Sequence, residues 1–310
     1  MSWLRGLGFH VPAGIVTNRD LAARLGADPA WIFEATGIEE RRFAASGESV
    51  AELGVLAARD CLESSGMAPR EIGFLLVASG SAEKRFPGPA AAIGAALGIA
   101  GVPAIDLSMA SAGSLFAIVL AAQLAPVYRN VLVVGAEIMS RVLRIEAAGR
   151  DTAILFGDGA GACVVSSETG FAEIRDSLVA SDSAFGDALA LSWSTPLYMD
   201  GRTVILHAFR KLPRTISELL ERNGLKAGDI GTYLLHQANG NLITRIAQTL
   251  KVPEKRFFCN LNRYGNTSSA SLLIAAAEWW RGSPEKPAGP IVLAAFGAGF
   301  HWGAVLAEPA

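Results

Sequence analysis

Charged residues are scarce in this chain of 310 residues: they make up 18% of it, whereas hydrophobic residues make up 51%. An average soluble protein has about 25% charged residues. The formal net charge is −2 and Lys and Arg form no cluster, which excludes a protein that holds nucleic acid through its phosphates. A chain with this large a share of hydrophobic residues is also not intrinsically disordered, because it can bury enough apolar surface to fold. The composition indicates a globular protein with a large interior, and the length suggests about two domains.

Cysteine and histidine are also few, at three and four residues. Three cysteines cannot all pair, so a disulfide scaffold is excluded. Because the sequence has no C-x-x-C or H-E-x-x-H spacing, we expect no metal site. Free thiols and the absence of an apolar run near the N-terminus, which a signal peptide would need, favour a cytoplasmic protein.

Long hydrophobic runs are interrupted by polar residues. The longest stretch without charge, residues 107–127, contains three serines and a glutamine and has no basic flank. We therefore expect no helix that crosses a membrane.

Helical and strand patterns alternate along the chain, which is typical of an α/β protein. The amphipathic segments 49–65 and 199–223 each precede a glycine and an apolar strand. Six residues of these two units recur at a constant offset of 158: Leu62, Glu63, Gly66, Ile72, Gly73 and Leu76 match Leu220, Glu221, Gly224, Ile230, Gly231 and Leu234. We therefore predict two copies of one unit, residues 1–166 and 167–310.

Two further segments, residues 112–125 and 268–277, are strongly apolar and have no polar face. A helix that is apolar all round is buried all round. We place both helices between two sheets, with the amphipathic helices outside. This α/β fold has five layers, αβαβα, and it accounts for the low charge.

Residues 157–162 fit the G-x-G-x-x-[GA] pattern of dinucleotide-binding loops. That pattern requires a helix next, but a strand-like sequence, CVV, follows. We interpret the segment as a tight glycine turn between strands.

Polar residues follow the predicted apolar strands where α/β sheets place their ligands. His236 stands in the sequence HQAN directly after one strand, and Asn266 lies in the segment that leads into the second apolar helix. At the matching junction of the first half, Ser111 would lie at the amino end of a buried helix, where the helix dipole favours a nucleophile. Alternatively, the serines of this junction only cap the helix.

At these residues the chain resembles ketosynthase III, the thiolase-fold condensing enzymes (beta-ketoacyl-acyl-carrier-protein synthase III) that start fatty-acid or polyketide chains from acyl-CoA. The similarity runs over nearly the whole length, in an ordered set of motifs: residues 31–38, Glu40-Arg41, Phe86-Pro87, 106–113, 156–161, 236–239, 265–268, 296–300 and Trp302-Gly303. It implies a thiolase-like five-layer fold of two duplicated halves. It also implies a homodimer, acyl-CoA as substrate and no cofactor.

The resemblance further implies a catalytic Cys–His–Asn triad, in which His236 and Asn266 match and Ser111 replaces the Cys. In the family, the thiolate takes the acyl group from CoA, and His and Asn hold the thioester oxygen of malonyl-carrier protein while it loses carbon dioxide. The backbone N–H groups of Ser111 and Ala298 are implied as the acyl oxyanion hole. Ala298 replaces the usual glycine, which restricts the φ of that loop.

The same resemblance implies the residues that bind CoA and the acyl group. Trp31 and Arg150 would sandwich the CoA adenine, and Phe156 and Phe86 would line the acyl pocket. Phe86 matches the residue that reaches into the neighbour's pocket across the homodimer.

Two arginines usual in the family are absent, one at the CoA entrance and one at the surface that docks the carrier protein. Their positions are Ala35 and Asn241. Acyl-CoA is therefore the partner that the sequence favours over acyl-carrier protein.

A serine at the Cys position leaves three interpretations open. A hydroxyl needs a base during attack, whereas a thiol with a pKa near 8.5 ionises at modest cost, and His236 is the only candidate base. Ser111 is a native nucleophile, as in the family's serine-bearing starter enzymes, a replacement made to trap substrate, or part of a catalytically silent partner subunit. The presence of His236 and Asn266 argues against the last.

The resemblance thus implies decarboxylative condensation of an acyl group from acyl-CoA with a malonyl thioester. The alternatives are transfer of the acyl group to a hydroxyl, amine or thiol without a new carbon–carbon bond, and a structural partner subunit.

Overall fold

The computed structural model describes residues 1–283 and 289–310. The strands are β1 (Trp3–His10), β2 (Gly14–Thr17), β3 (Glu40–Phe43), β4 (Phe74–Ala78), β5 (Ala104–Leu107), β6 (Asn130–Ile138), β7 (Asp158–Ser166), β8 (Ala172–Ser181), β9 (Leu189–Ala190), β10 (Tyr198–Met199), β11 (Thr232–Leu235), β12 (Phe257–Phe258), β13 (Ile291–Gly297) and β14 (His301–Pro309). The α-helices are α1 (Asn18–Leu25), α2 (Pro29–Thr36), α3 (Val50–Ser64), α4 (Pro89–Leu97), α5 (Gly113–Tyr128), α6 (Arg150–Ala153), α7 (Gly201–Arg222), α8 (Gly240–Leu250), α9 (Leu261–Tyr264) and α10 (Ser271–Gly282). In this part of the chain, every helix is too short or too polar to cross a membrane.

Ten strands form one sheet in which the two halves of the chain repeat the same order. The first half contributes β5, β4, β6, β7 and β1, and the second contributes β12, β11, β13, β14 and β8. In each half the first three strands run parallel and the last two antiparallel to their neighbours. The halves join where Trp3 and Leu4 pair with Glu173 and Ala172. The two predicted copies therefore share the same strand order and the same strand directions.

The layers follow from what the helices contact. Helix α5 packs on β4, β6 and β7 of the first half and on β8, β13 and β14 of the second, and α10 likewise contacts strands of both halves. Helices α3 and α4 cover the outer side of the first half, and α7 and α8 that of the second. The central core between the halves is almost purely apolar. The αβαβα prediction is confirmed, with one difference: the two β layers are the two halves of one continuous ten-stranded sheet, and α5 and α10 lie between these halves.

Burial of α5 on all sides is wrong for the single chain. Leu120 is 43% exposed and Val127 is 74% exposed, although the opposite side of the helix is fully buried. Ile105 on the edge strand β5 is exposed as well. An apolar pattern predicts that a face is covered, but it does not say whether the same chain covers it.

Two local predictions are corrected by the backbone. The segment expected to be helical from residue 268 begins as a short 3₁₀ turn, Ser268–Ala270, and α10 starts only at Ser271. The turn expected over residues 157–162 belongs mostly to strand β7. A Cβ on Gly161 would lie 2.5 Å from the Cβ of Leu273 in α10, so glycine there allows the strand and the helix to pack closely.

Candidate active site

Ser111 lies just before α5, at the end of the segment that follows β5, and only 6% of it is exposed. The N-cap of α5 is Ala112, and no side-chain oxygen accepts a capping hydrogen bond from this end of the helix, so the interpretation of the nearby serines as caps is wrong. The Ser114 hydroxyl instead donates to the carbonyl oxygen of Ser269. Ser111 is thus left at the positive end of a buried helix dipole, as the sequence predicts.

Gly297, the last residue of β13 before the loop at residues 298–300, packs directly on Ser111. A Cβ on Gly297 would lie 2.8 Å from the nitrogen of Ala112 and 3.1 Å from the Cβ of Ser111, so only glycine allows this approach. The left-handed conformation in this loop falls on Gly299, with φ of 130°, and not on Ala298. The alanine that replaces the family's glycine therefore introduces no backbone strain.

His236 follows β11 and is 6% exposed. Its Nδ1 lies 2.5 Å from the hydroxyl oxygen of Ser271, which also accepts a hydrogen bond from the backbone nitrogen of Gln237 at 3.1 Å. Burial lowers the pKa of His236 to about 3, because a charged imidazole would lose its hydration there. The ring is therefore neutral at physiological pH.

Asn266 is held by its backbone and by its side-chain oxygen. Its N–H donates to the carbonyl oxygen of Leu155 at 2.9 Å, and its own carbonyl oxygen accepts from Gly157 at 3.0 Å. Its side-chain oxygen accepts from the backbone nitrogen of Ser268 at 2.9 Å. The amide NH₂ group is consequently the end of this side chain that remains for a substrate.

Two cavities meet at Ser111. The first, of about 370 Å³, is mostly apolar and is lined by Ser111, His236 and Asn266, with Trp31 also in its wall. The second, of about 500 Å³, is lined by Ser111 and Ala298. Phe156 and Leu189 also line both cavities. Because Ser111 lies in the wall of each cavity, a bound molecule can reach it from either one.

The predicted CoA and acyl residues are placed differently from one another. The Arg150 guanidinium lies 5.6 Å from the centroid of the Trp31 ring, so these two are brought together. Phe156 lies between the cavities. Phe86 is 85% exposed and lines neither cavity, so it does not reach the acyl pocket of its own chain. Its role across a homodimer stays a prediction.

The two positions that lack arginine lie next to each other, Ala35 at the end of α2 and Asn241 at the start of α8. The side-chain amide of Asn241 donates to the carbonyl oxygens of Glu34 and Ala35 at 3.1 and 3.3 Å. Asn239 donates to the same Ala35 oxygen at 2.9 Å. These bonds join α8 to α2 beside the first cavity and turn the Asn241 side chain toward the protein backbone.

The sequence did not single out two further residues of the site. Ser271 contacts His236. The sequence feature that could have identified it is a polar residue at the start of an apolar helix. Glu137 is fully buried and accepts hydrogen bonds from the backbone nitrogens of Gly80, Ser81 and Ser269 at 2.9 to 3.3 Å. Glu137 thereby links a wall of the second cavity to the loop that carries Asn266. The sequence feature that could have identified it is an acidic residue within an apolar strand. Within residues 1–283 and 289–310, no three side chains of His, Cys, Asp or Glu gather as metal ligands.

Comparison with known proteins fits this arrangement. Residues 105–183 match the family described as 3-oxoacyl-[acyl-carrier-protein (ACP)] synthase III, and residues 220–308 match its C-terminal part. The chain is 38% identical to the beta-ketoacyl-[acyl-carrier-protein] synthase III of Oleidesulfovibrio alaskensis, with 98% of each chain covered.

Solved structures agree with these matches. The 3-oxoacyl-[acyl-carrier-protein] synthase III of Aquifex aeolicus VF5 superposes with a TM-score of 0.95 at 33% identity, covering 99% of this chain and 100% of that one. The priming beta-ketosynthase of the R1128 polyketide biosynthetic pathway superposes with a TM-score of 0.91 at 32% identity, covering 100% and 96%. The chain therefore belongs to the 3-oxoacyl-[acyl-carrier-protein] synthase III family of condensing acyltransferases.

Proposed function

We propose that the protein takes an acyl group from acyl-CoA onto Ser111 and condenses it with a malonyl thioester to form a 3-oxoacyl product. One observation carries this proposal: His236 and Asn266 each have one side-chain polar atom engaged inside the protein, which leaves His236 Nε2 and the Asn266 amide group for a substrate, and both residues line the cavity at Ser111. A thioester oxygen that gains negative charge as carbon dioxide leaves is stabilised by such preorganised donors.

The first half-reaction is acyl transfer. The Ser111 oxygen attacks the thioester carbonyl, whose oxygen is held by the backbone N–H groups of Ser111 and Ala298. The carbon–sulfur bond then breaks, and the serine proton passes to the departing CoA sulfur, so the substrate's own leaving group acts as the base and CoA leaves as a thiol. The helix dipole of α5 stabilises negative charge that develops on the attacking oxygen.

The second half-reaction is condensation. The bond between the malonyl carboxylate and its α-carbon breaks, carbon dioxide leaves, and the electron pair moves into an enolate whose oxygen accepts from His236 and Asn266. The α-carbon of this enolate attacks the acyl ester and releases Ser111, which takes a proton from solvent. This sequence needs no cofactor beyond the CoA substrate.

The cavities support acyl-CoA as the donor. Trp31 and Arg150 form the proposed adenine site beside the first cavity, which would hold the pantetheine arm. The second cavity would hold the acyl chain. Malonyl-CoA and malonyl-acyl-carrier protein are both candidate second substrates, and the inward-facing Asn241 favours the CoA form.

We also propose a homodimer in the cytoplasm. Exposed apolar side chains on α5 and β5, among them Leu120, Val127 and Ile105, suit a surface that a second copy covers. Phe86 would then reach into the partner's acyl pocket. The three cysteines are unpaired, which fits a reducing compartment.

Acyl transfer to a hydroxyl, amine or thiol acceptor is less well supported. That reaction needs a group that removes a proton from the acceptor. Acylation of Ser111 has the same requirement, so such a transfer would need a proton removed twice, and burial, which lowers the pKa of His236 to about 3, makes it a poor base. Condensation makes its second nucleophile by losing carbon dioxide and needs no base for that step.

Intact mass spectrometry after incubation with a panel of acyl-CoAs tests the proposal. We expect an acyl adduct on the protein as it is, a faster one on Ser111→Cys and none on Ser111→Ala, with carbon dioxide released on addition of malonyl thioester. An adduct on the Cys form alone would indicate a disabled enzyme. The absence of any adduct on both forms would contradict catalysis and leave the silent partner subunit.

A further inference from the structure

We propose that Ser271 is a positioning residue that keeps the proton of neutral His236 on Nε2, so that His236 acts as a hydrogen-bond donor and not as the base for Ser111. This inference rests on the proposed function, because it assigns the donor role within the condensation half-reaction. The expectation drawn from the sequence gave His236 two roles, base for Ser111 and donor to the thioester oxygen, and the inference keeps only the second.

The hydrogen bonds around Ser271 fix the position of its proton. Ser271 is the first residue of α10 and is 2% exposed. Its oxygen accepts from the backbone nitrogen of Gln237 at 3.1 Å, a bond in which Gln237 can only donate. Among the described residues, its other partner within bonding distance is Nδ1 of His236 at 2.5 Å, so the buried hydroxyl hydrogen of Ser271 finds an acceptor there only if Nδ1 carries no proton.

The tautomer of His236 follows from that bond. A nitrogen that accepts the Ser271 hydrogen carries no proton of its own, so the proton of a neutral imidazole sits on Nε2. Burial keeps the ring neutral, since it lowers the pKa of His236. Nε2–H is then a fixed donor in the cavity that it shares with Asn266 and Ser111.

The identity of the partner at Nδ1 decides what His236 can do. In serine hydrolases a buried carboxylate accepts from Nδ1–H, which leaves Nε2 free to take the serine proton and stabilises the imidazolium that forms. A serine hydroxyl at Nδ1 has the opposite polarity and carries no negative charge. His236 is therefore suited to hold an oxyanion and unsuited to deprotonate Ser111.

Nitrogen-15 NMR of histidine-labelled protein tests the tautomer without any substrate. The chain has four histidines, and a His236→Asn variant identifies the resonances of His236. We expect a pyrrole-type Nε2 and a pyridine-type Nδ1 in the unmodified protein. We expect Ser271→Ala to give a mixture of the two neutral tautomers and Ser271→Thr, which keeps the hydroxyl, to restore one.

Decarboxylation of malonyl-CoA tests the consequence for the reaction. We expect Ser271→Ala to lower kcat about tenfold, the size of effect that one lost hydrogen bond produces, with KM unchanged. Ser271→Thr should recover most of the rate. The matched control is Ser283→Ala at the other end of α10, where the hydroxyl only caps the Trp279 carbonyl.

The outcomes separate this inference from the proposed function. A protein that releases no carbon dioxide contradicts the proposed function, while the NMR spectrum still decides the role of Ser271. A proton on Nδ1 in the unmodified protein overturns the inference, and so does a Ser271→Ala variant with unchanged tautomer or unchanged kcat. If Ser271→Ala does not fold, Ser271→Cys, whose S–H is a weak donor, takes its place in both measurements.

Discussion

The side-chain oxygen of Asn266 accepts the backbone N–H of Ser268 at 2.9 Å, and this bond decides which end of the Asn266 amide a substrate meets. Ser268 adopts a left-handed φ of 49°, an uncommon conformation for a serine, in the turn that presents this N–H. Backbone strain of this kind concentrates at functional sites. At this position the strain orients a donor.

Asn266→Asp separates the two ends of that amide. The substitution keeps an oxygen for the Ser268 N–H but replaces the NH₂ group with a second oxygen. Because one donor to a developing oxyanion is lost, we expect malonyl-CoA decarboxylation to fall by about 10²- to 10³-fold. Carbon dioxide release measures the effect, with Asn262→Asp on α9 as the control for the added charge. Equal rates in both variants would show that Asn266 holds no oxyanion.

Gly297→Ala tests the close approach of the β13 loop to Ser111. The added Cβ would lie 2.8 Å from the nitrogen of Ala112, so the loop or the start of α5 must move. A displacement of about 1 Å at a reacting group can cost about 10²-fold in rate, and we expect acylation by acyl-CoA to slow by a factor of that order.

The control for this change is Gly228→Ala. A Cβ on Gly228 meets no atom within 4 Å, so we expect the activity and melting temperature of this variant to stay unchanged. A Gly297→Ala enzyme with normal acylation kinetics would contradict the proposed oxyanion hole.

Stability should depend on pH through His236. Burial lowers its pKa from 6.5 to about 3, so below pH 6.5 the unfolded chain binds a proton that the folded protein does not. The stabilisation is complete above pH 6.5 and is lost as the pH falls toward 3, by up to about 1.4 kcal/mol per pH unit.

Urea unfolding at pH 7 and pH 5 measures this effect against His236→Gln, which cannot titrate. We expect the unmodified protein to lose more stability between the two pH values than the variant does. Burial also lowers the pKa of His10 and of His301, but both residues are present in the two proteins, so their effects cancel. Parallel losses of stability would contradict a buried, neutral His236.

A charge on the open face of α5 should separate the proposed homodimer. Leu120→Asp places a carboxylate where we expect the second copy to pack, so sedimentation velocity should show one chain in place of two. Ile15→Asp, on the exposed part of β2, makes the same change elsewhere and should leave the mass unchanged. A Leu120→Asp variant that stays dimeric would place the interface on another surface.

Much of the architecture could be predicted because the spacing of hydrophobic residues along the chain indicates helices, strands and repeats. The amphipathic segments, the buried strands and the offset of 158 indicated two repeats, and the polar residues after the strands indicated Ser111, His236 and Asn266. These features depend on residue type and spacing alone.

Other features depend on contacts that no pattern encodes. The glycines of β7 allow α10 to approach, and they look the same in a sequence as glycines in a turn. The exposed side of α5 is as apolar as its buried side. The contact between His236 Nδ1 and the Ser271 hydroxyl, on which the proposed tautomer rests, forms only when α10 packs against β11.

The proposed centre is divided between the repeats: Ser111 comes from one, and His236, Asn266 and Gly297 come from the other. Neither repeat alone encloses the cavity in which the thioester would react. A molecule in which only one repeat has folded lacks part of the site and is expected to have no activity at all. Turnover therefore requires that both repeats are folded. The specific activity of a preparation is therefore proportional to the fraction of chains in which both repeats are folded and packed together.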